Sequence, residues 1–332
     1  MSLPIEQHPS WEILDSTKLQ CFDSCRRKFF YEYLLGWRLD YPKHDLLFGE
    51  AWHKGREYQM LYGYEDVEGA YNAFCKSYYE HFTDSDDQIY LPKTPQAALH
   101  GYLNLADNYL NDLVENEVVE VNGEKMIEVS GSVPIGESRI LYYRMDSIMK
   151  RVEDEKIFSW DHKTTSGKYI NSSTWENEFY LSIQNGTYTH CLYCLFPIDQ
   201  VLGVEFYGVG FEYLKKGSKI RPAGYYSTFK KVPAFKSPDQ MNTWLWSVNN
   251  LVDEIEFEMD RLSNCSENDS VMRAFPMRPK SCMDYRGCQY FDYCLAWQNP
   301  IQKSYEPPIG FKVEFWNPNE QQTRVRKNLN WE

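Results

Sequence analysis

The chain has 332 residues, 42% hydrophobic and 25% charged, enough apolar material to bury a substantial core, which excludes a disordered tail and a mini-protein. A formal charge of −13 argues against coating duplex DNA through a general electrostatic field and leaves room only for a local basic groove. The longest apolar runs, such as that around Cys191 to Phe196, are too short to cross a bilayer, and the start MSLPIEQHPS has no basic segment followed by an apolar block; the expectation is a cytoplasmic protein with no membrane contact.

In chain order, Ser16 can cap a helix, and Leu19, Phe22, Phe29 and Leu34 recur at helical spacing, so 16–35 is expected to be mainly helical. Further helices are expected through FGEAWHKGREYQMLYG, ending near Gly63, through VEGAYNAFCKSYYEHF, and through PQAALHGYLNLADNYLNDLVEN, where Pro95 stands near the first turn. From Val118 the pattern turns to β-rich alternation in VVEVNG, KMIEVSGSVPI, RILYYRMDSIMKRV and KIFSWDHKTT, read as successive, largely antiparallel strands. A helix through FYLSIQNGTYTHCLYCLF, two strands in VLGVEFYGVGFEYL and GYYSTFKKV, and a long amphipathic helix from Ser237 follow. A cysteine segment and a tail from about Lys303, expected to be disordered, complete the chain. The fold class is mixed α/β, a central mixed sheet flanked by helices. It forms one domain over 1–302, with a helical part at 16–116, a sheet core at 117–235 and a helix plus cysteine segment at 236–302, before the tail at 303–332.

The chemistry is expected on two neighbouring strands, where Asp146 and Asp161 can share one divalent ion, and Lys163 leaves the strand on the face of Asp161 because side chains alternate with period two. Such a set suits metal-assisted hydrolysis, with Mg²⁺ or Mn²⁺ lowering the pKa of a water while the lysine positions it. A second Asp-x-Lys, Asp154 to Lys156, lies in a polar turn without apolar support and reads as surface charge. His53 is a lone helical histidine, and Gln184 and Tyr188 stand one turn apart and can face one groove. Candidates for a basic groove are Arg26, Arg27 and Lys28; Lys215, Lys216, Lys219 and Arg221; Lys230 and Lys231; and Arg324, Arg326 and Lys327, each by itself a solvated face.

Nine cysteines in a chain without an export signal call for burial or metal binding rather than disulfides. Cys282, Cys288 and Cys294 are evenly spaced in SCMDYRGCQYFDYC, a pattern suited to a soft metal or an iron-sulfur centre. Cys191 and Cys194 sit within a helix among apolar neighbours and read as core.

Together, STKLQCFDSCRRKFFYEYLLG, FGEAWHKGRE, YYRMDSI, WDHKTT and the Gln184 to Tyr188 segment resemble, in order, the motifs of the RecB-like branch of the PD-(D/E)XK nucleases. The resemblance is to its iron-sulfur members, the CRISPR-associated exonucleases and AddB-type nuclease domains. It implies a restriction-endonuclease-like core; His53, Asp146, Asp161 and the main-chain carbonyl of His162 as metal ligands; Lys163 as the catalytic lysine; and Gln184 and Tyr188 as DNA-binding residues. It also implies a [4Fe-4S] cluster on Cys25, Cys282, Cys288 and Cys294 that staples the ends of the chain. Departures from the family pattern are Tyr143 where glycine is usual, Arg26 where proline is usual, and wider spacing of the C-terminal cysteines. Cys21 competes with Cys25, one helical turn away, and zinc is the chemical alternative for four thiolates.

The resemblance thus implies a metal-dependent DNA exonuclease on single-stranded ends with 5′ to 3′ polarity, serving recombination, repair, CRISPR adaptation or phage DNA processing in a bacterial, archaeal or phage-infected cell. Its partners would be DNA and a recombination or CRISPR-adaptation protein. The competing reading from another class is a DNA-end-binding or partner subunit that keeps the fold and the cluster, with cleavage weak or partner-dependent; a zinc-stabilised structural protein is the third.

Overall fold

In the computed structural model, which describes residues 3–41, 43–83, 89–320 and 323–329, a short strand β1 (Leu14–Asp15) leads into α1 (Ser16–Ser24), whose N-cap Asp15 accepts the Lys18 N–H at 2.8 Å. Cys25, in extended backbone, breaks the helix before α2 (Arg26–Phe29) and one π turn at Phe30–Leu34. Next come β2 (Trp37–Leu39), α3 (His44–Tyr62), α4 (Val67–Tyr78), α5 (Pro95–Asn108) and α6 (Asp112–Glu115). The expected single helix over 95–116 is therefore two, and Gly63 ends α3 as expected, at a φ of 100° that suits glycine.

The sheet is built from β3 (Asn116–Val118), β6 (Ile127–Pro134), β7 (Ile140–Arg151) and β8 (Ile157–Ser166), with a small hairpin of β4 (Glu120–Val121) and β5 (Glu124–Lys125) between the first two. Two helices, α7 (Ser173–Tyr180) and α8 (Ile183–Leu195), then cross to β9 (Val201–Leu214) and β10 (Gly224–Phe235). The strand order is β10-β9-β8-β7-β6, antiparallel except for the parallel β8–β9 pair that the α7–α8 crossover requires. Helix α7 was not anticipated; Ser172 caps it, accepting the Trp175 N–H. The long α9 (Pro238–Ser263) opens with a capping box between Ser237 and Gln240. α10 (Phe291–Ala296) lies in the cysteine segment.

Apolar side chains pack on both sheet faces. One cluster joins α1, α8 and α9 through Phe22, Leu192 and Val248; the other joins α3, α4 and α5 through Trp52, Phe74 and Tyr102. The mixed α/β architecture thus has its central sheet between two helical layers.

The tail is ordered where it is described, against the expectation of disorder. β11 (Phe311–Val313) pairs with β2, and β12 (Val325–Asn328) adds a parallel strand to the free edge of β6. Close approach is what makes this order possible: a Cβ on Gly131 would fall 1.6 Å from the Lys327 carbonyl oxygen, so only glycine admits the tail strand there. Among the described residues no helix is long and apolar enough to cross a membrane.

Candidate active site

One cleft of about 480 Å³ is lined by His53 from α3, Asp146 from β7, Asp161, His162 and Lys163 from β8, and Gln184 and Tyr188 from α8. The fold therefore brings together the strand pair, the helical histidine and the Gln–Tyr pair that were separate segments in sequence. Asp146 is the hub: His53 Nδ1 lies 3.1 Å from Oδ1, and the His162 main-chain N–H donates to Oδ2 at 2.7 Å. Burial alone would raise the Asp146 pKa, but the His53 partner wins and holds the carboxyl far below the usual range. Reciprocally, burial opposes the His53 charge and Asp146 overcomes it, so the imidazole pKa is raised.

Asp161 lines the same cleft and takes other partners. Lys163 Nζ lies 2.6 Å from its Oδ2 and donates to Gln184 Oε1 at 2.9 Å, while Gln184 Nε2 bridges Asp161 Oδ1 at 3.4 Å and the Tyr188 hydroxyl at 3.0 Å. Burial raises the Asp161 pKa, with Lys163 opposing. The Lys163 ammonium is thus steered from two sides and packs 5.7 Å from the Phe206 ring. The His162 side chain is buried, which lowers its pKa well below that of a free imidazole and keeps the ring neutral.

The residue that the sequence reading missed is Glu128 on β6. It falls between the register pairs Ile127–Ser147 and Val129–Met145, directly across from Asp146, at a φ of 49°. With His53 and Asp146 it forms, among the described residues, the one group of three metal-ligating side chains whose ligand atoms all lie within 4.8 Å of one another. The expected ligand Asp161 lines the same cleft but is not one of that group. Like charges directly opposite on a sheet repel. Here burial and Asp146 push the Glu128 pKa up to about 7, with Arg144 Nε 3.3 Å away as a partial counter-charge. Two buried carboxylate donors and an imidazole suit a hard divalent cation. The available signal was an acid inside the apolar run MIEVSGSV.

A titration follows from Glu128. Its folded-state pKa of about 7 lies above its ordinary value of 4.5, so between those pH values the folded protein holds a proton that the unfolded chain has released, and stability falls as pH rises through that window. In EDTA, Tm should therefore drop from pH 5 to pH 7.5, less steeply in Glu128→Gln. That variant should also bind Mn²⁺ about 10- to 100-fold more weakly by calorimetry, the usual scale for losing a group that tunes a site. Equal slopes and equal affinity would remove Glu128 from the metal site.

The start of the cysteine segment docks beside Cys25. The Arg278 N–H points at Cys25 Sγ (3.5 Å), the Ser281 hydroxyl donates to Ser24 O (2.8 Å), and Cys288 N–H bonds Cys282 O (2.8 Å), docking the cysteine segment on the α1–α2 break. Burial pushes the Cys294 thiol up to about 12, with Arg27 opposing and Cys25, Cys288 and Cys282 adding to the rise. Among the described residues no three thiols lie within 4.8 Å of one another, and the cysteine cluster expected for an iron-sulfur site is not seen. Cys191 is buried, as expected of core, whereas Cys194 is exposed and 3.7 Å from His190 Nε2.

The basic clusters do not assemble into a groove. Arg26 pairs with Glu254, Arg221 with Glu212 (2.9 Å), Lys230 with Glu176 (2.8 Å) and Lys231 with Asp112 (2.6 Å). Arg26, Lys230, Lys231 and Arg324 are thus paired with acids remote in the chain.

A carboxylate and imidazole group beside an Asp-x-Lys strand, on the central strands of a mixed sheet, fits the class of metal-dependent phosphodiester hydrolases. The family model of the PD-(D/E)XK nuclease superfamily matches residues 16–295, and the chain belongs to that superfamily. No curated protein matches the chain.

Proposed function

We propose that this nuclease is a Mg²⁺- or Mn²⁺-dependent DNA exonuclease of the RecB-like iron-sulfur kind that shortens single-stranded ends in the 5′ to 3′ direction. The observation that carries the reading is the cleft in which His53 and Asp146, grouped with the buried Glu128, adjoin the Lys163, Asp161 and Gln184 triad. His53, Asp146 and Glu128 would hold the ion, with Asp161 and the His162 carbonyl at its margin. When bound, a divalent ion supplies Lewis acidity to a phosphoryl oxygen and lowers the pKa of a water.

The chain's own residues do the rest. Asp146 is fixed by the His162 N–H, so its second oxygen keeps a defined direction. Lys163 is held at the cleft by Asp161 and Gln184 and orients the water and stabilises developing negative charge. Tyr188 fixes Gln184, and the pair contacts the strand beside the scissile phosphate.

Cys25, Cys282, Cys288 and Cys294 are the proposed ligands of a [4Fe-4S] cluster. What supports them is the docking of the cysteine segment on Cys25 and the way each of the three C-terminal thiols is raised in part by Cys25. A cubane is wider than one ion, so its thiolates stand further apart than single-ion ligands. A role in recombination, repair, CRISPR adaptation or phage DNA processing, with a protein partner in the cytoplasm, follows from the family resemblance.

End-labelled single- and double-stranded DNA incubated with Mg²⁺, Mn²⁺ or EDTA tests the reading. Metal-dependent shortening from the 5′ end of single strands is the expected result. Retention of DNA ends without cleavage in any metal would instead favour an end-binding subunit.

A further inference from the structure

The segment after Ile301 lies outside the family match, yet it forms one wall of the active-site cleft. Trp316 and Pro318 line the same cavity as His53, Asp146 and Lys163. The wall is built in. The Trp316 indole N–H donates to Asp15 Oδ2 at 2.6 Å, the same carboxylate that caps α1, and the Arg38 guanidinium stands 6.0 Å from the ring. The neighbouring Phe315 stacks on His8 (3.8 Å, 5°) and covers Gly36, whose φ of 66° suits glycine. Beyond it, the Arg324 N–H bonds the Glu128 carbonyl at 3.1 Å, tying the tail to the metal site.

The charge around the cleft sharpens what this ring is for. Asp15, Asp45, Glu50, Asp146 and Asp161 line it against Lys163 and Arg144, so the walls supply little attraction for a phosphate backbone. Affinity for a strand in such a cleft must come from the bound ion and from uncharged contacts, and base stacking on an aromatic face is the largest of the latter. A half-buried indole, anchored at its N–H edge and open to a cavity of small-ligand size, suits a nucleobase.

We propose that Trp316 is a stacking platform for a nucleobase of single-stranded DNA whose phosphate occupies the His53, Asp146 and Lys163 site, and that the tail after Ile301 is a working part of the cleft. This rests on the nuclease reading given above. The test is fluorescence anisotropy with Mg²⁺ in a Lys163→Ala background, so that the probe is not consumed, using a labelled oligothymidylate and an abasic oligonucleotide of the same length. Adding Trp316→Ala should weaken oligothymidylate binding about 5- to 150-fold, the range of one lost stack. Trp316→Phe should recover most of that loss, and the abasic strand should bind all three proteins alike. Equal affinity of Trp316→Ala and its parent for oligothymidylate overturns the platform. So does an equal loss on both probes, which would mark Trp316 as a prop for the cleft. If the Lys163→Ala parent binds neither probe, the nucleic-acid reading of the cleft falls as well, an outcome distinct from failure of stacking alone.

Discussion

In Lys163→Ala, kcat for metal-dependent cleavage of single-stranded DNA should fall by about 10²- to 10⁴-fold, the range for removing one group that handles a proton or charge at the transition state. The expectation has a geometric basis. Lys163 is partly exposed in the cleft, and its ammonium is held 2.6 Å from Asp161 and 2.9 Å from Gln184. Its packing role is small, so Tm should change little. The Mn²⁺ affinity should also be nearly unchanged, because the closest donor group is His53, Asp146 and Glu128. A fall in Mn²⁺ affinity as large as the fall in kcat would recast Lys163 as the counter-ion that keeps Asp161 charged. Unchanged turnover would place the chemistry elsewhere in the chain.

Cys288→Ser should lose most iron and sulfide from anaerobically purified protein and lower Tm by well over 10 °C. Binding at a site that exists only in the folded chain contributes folding free energy, of order 10 kcal/mol for structural metals. The stretch at Pro279–Arg286 is short 3₁₀ structure held to α1 by Arg278 and Ser281, while the buried Tyr290 anchors the part beyond it to Trp37 and should keep that part docked. Full iron content in Cys288→Ser would exclude that thiol from the ligand set. Zinc without iron or sulfide in the wild type would replace the cluster with a zinc site, leaving the cleft chemistry untouched. Cys21→Ser is the control, since Cys25 is the N-terminal thiol that the Arg278 N–H of the cysteine segment approaches.

Features legible in the sequence were those set by short-range geometry. Period-two alternation placed Asp161 and Lys163 on one face of β8, and helical spacing placed Gln184 and Tyr188 on one face of α8; in the structure a single glutamine side chain joins all four. Gly63 and Ser237 likewise marked the end of α3 and the start of α9, whereas the helix expected from Phe179 starts only at Ile183, behind the Ser182 cap. Glu128 was hidden because an acid inside an apolar strand has no local meaning: its role comes from standing across β7 from Asp146 with His53 of a distant helix beside both. The basic clusters read as a candidate groove until tertiary packing supplied acids from remote segments, such as Glu254 for Arg26 and Asp112 for Lys231. The tail has the polar composition of a loop, and its order depends on an unpaired edge of β6, the missing side chain of Gly131 and the Asp15 carboxylate, all more than 180 residues away in sequence. Local periodicity by itself determined the main sheet strands, most of the long helices and the Asp-x-Lys face. Only the tertiary structure decided which carboxylates share a metal site and which ring walls the cleft, because those depend on cross-strand register and edge pairing between segments that carry no information about each other until they meet.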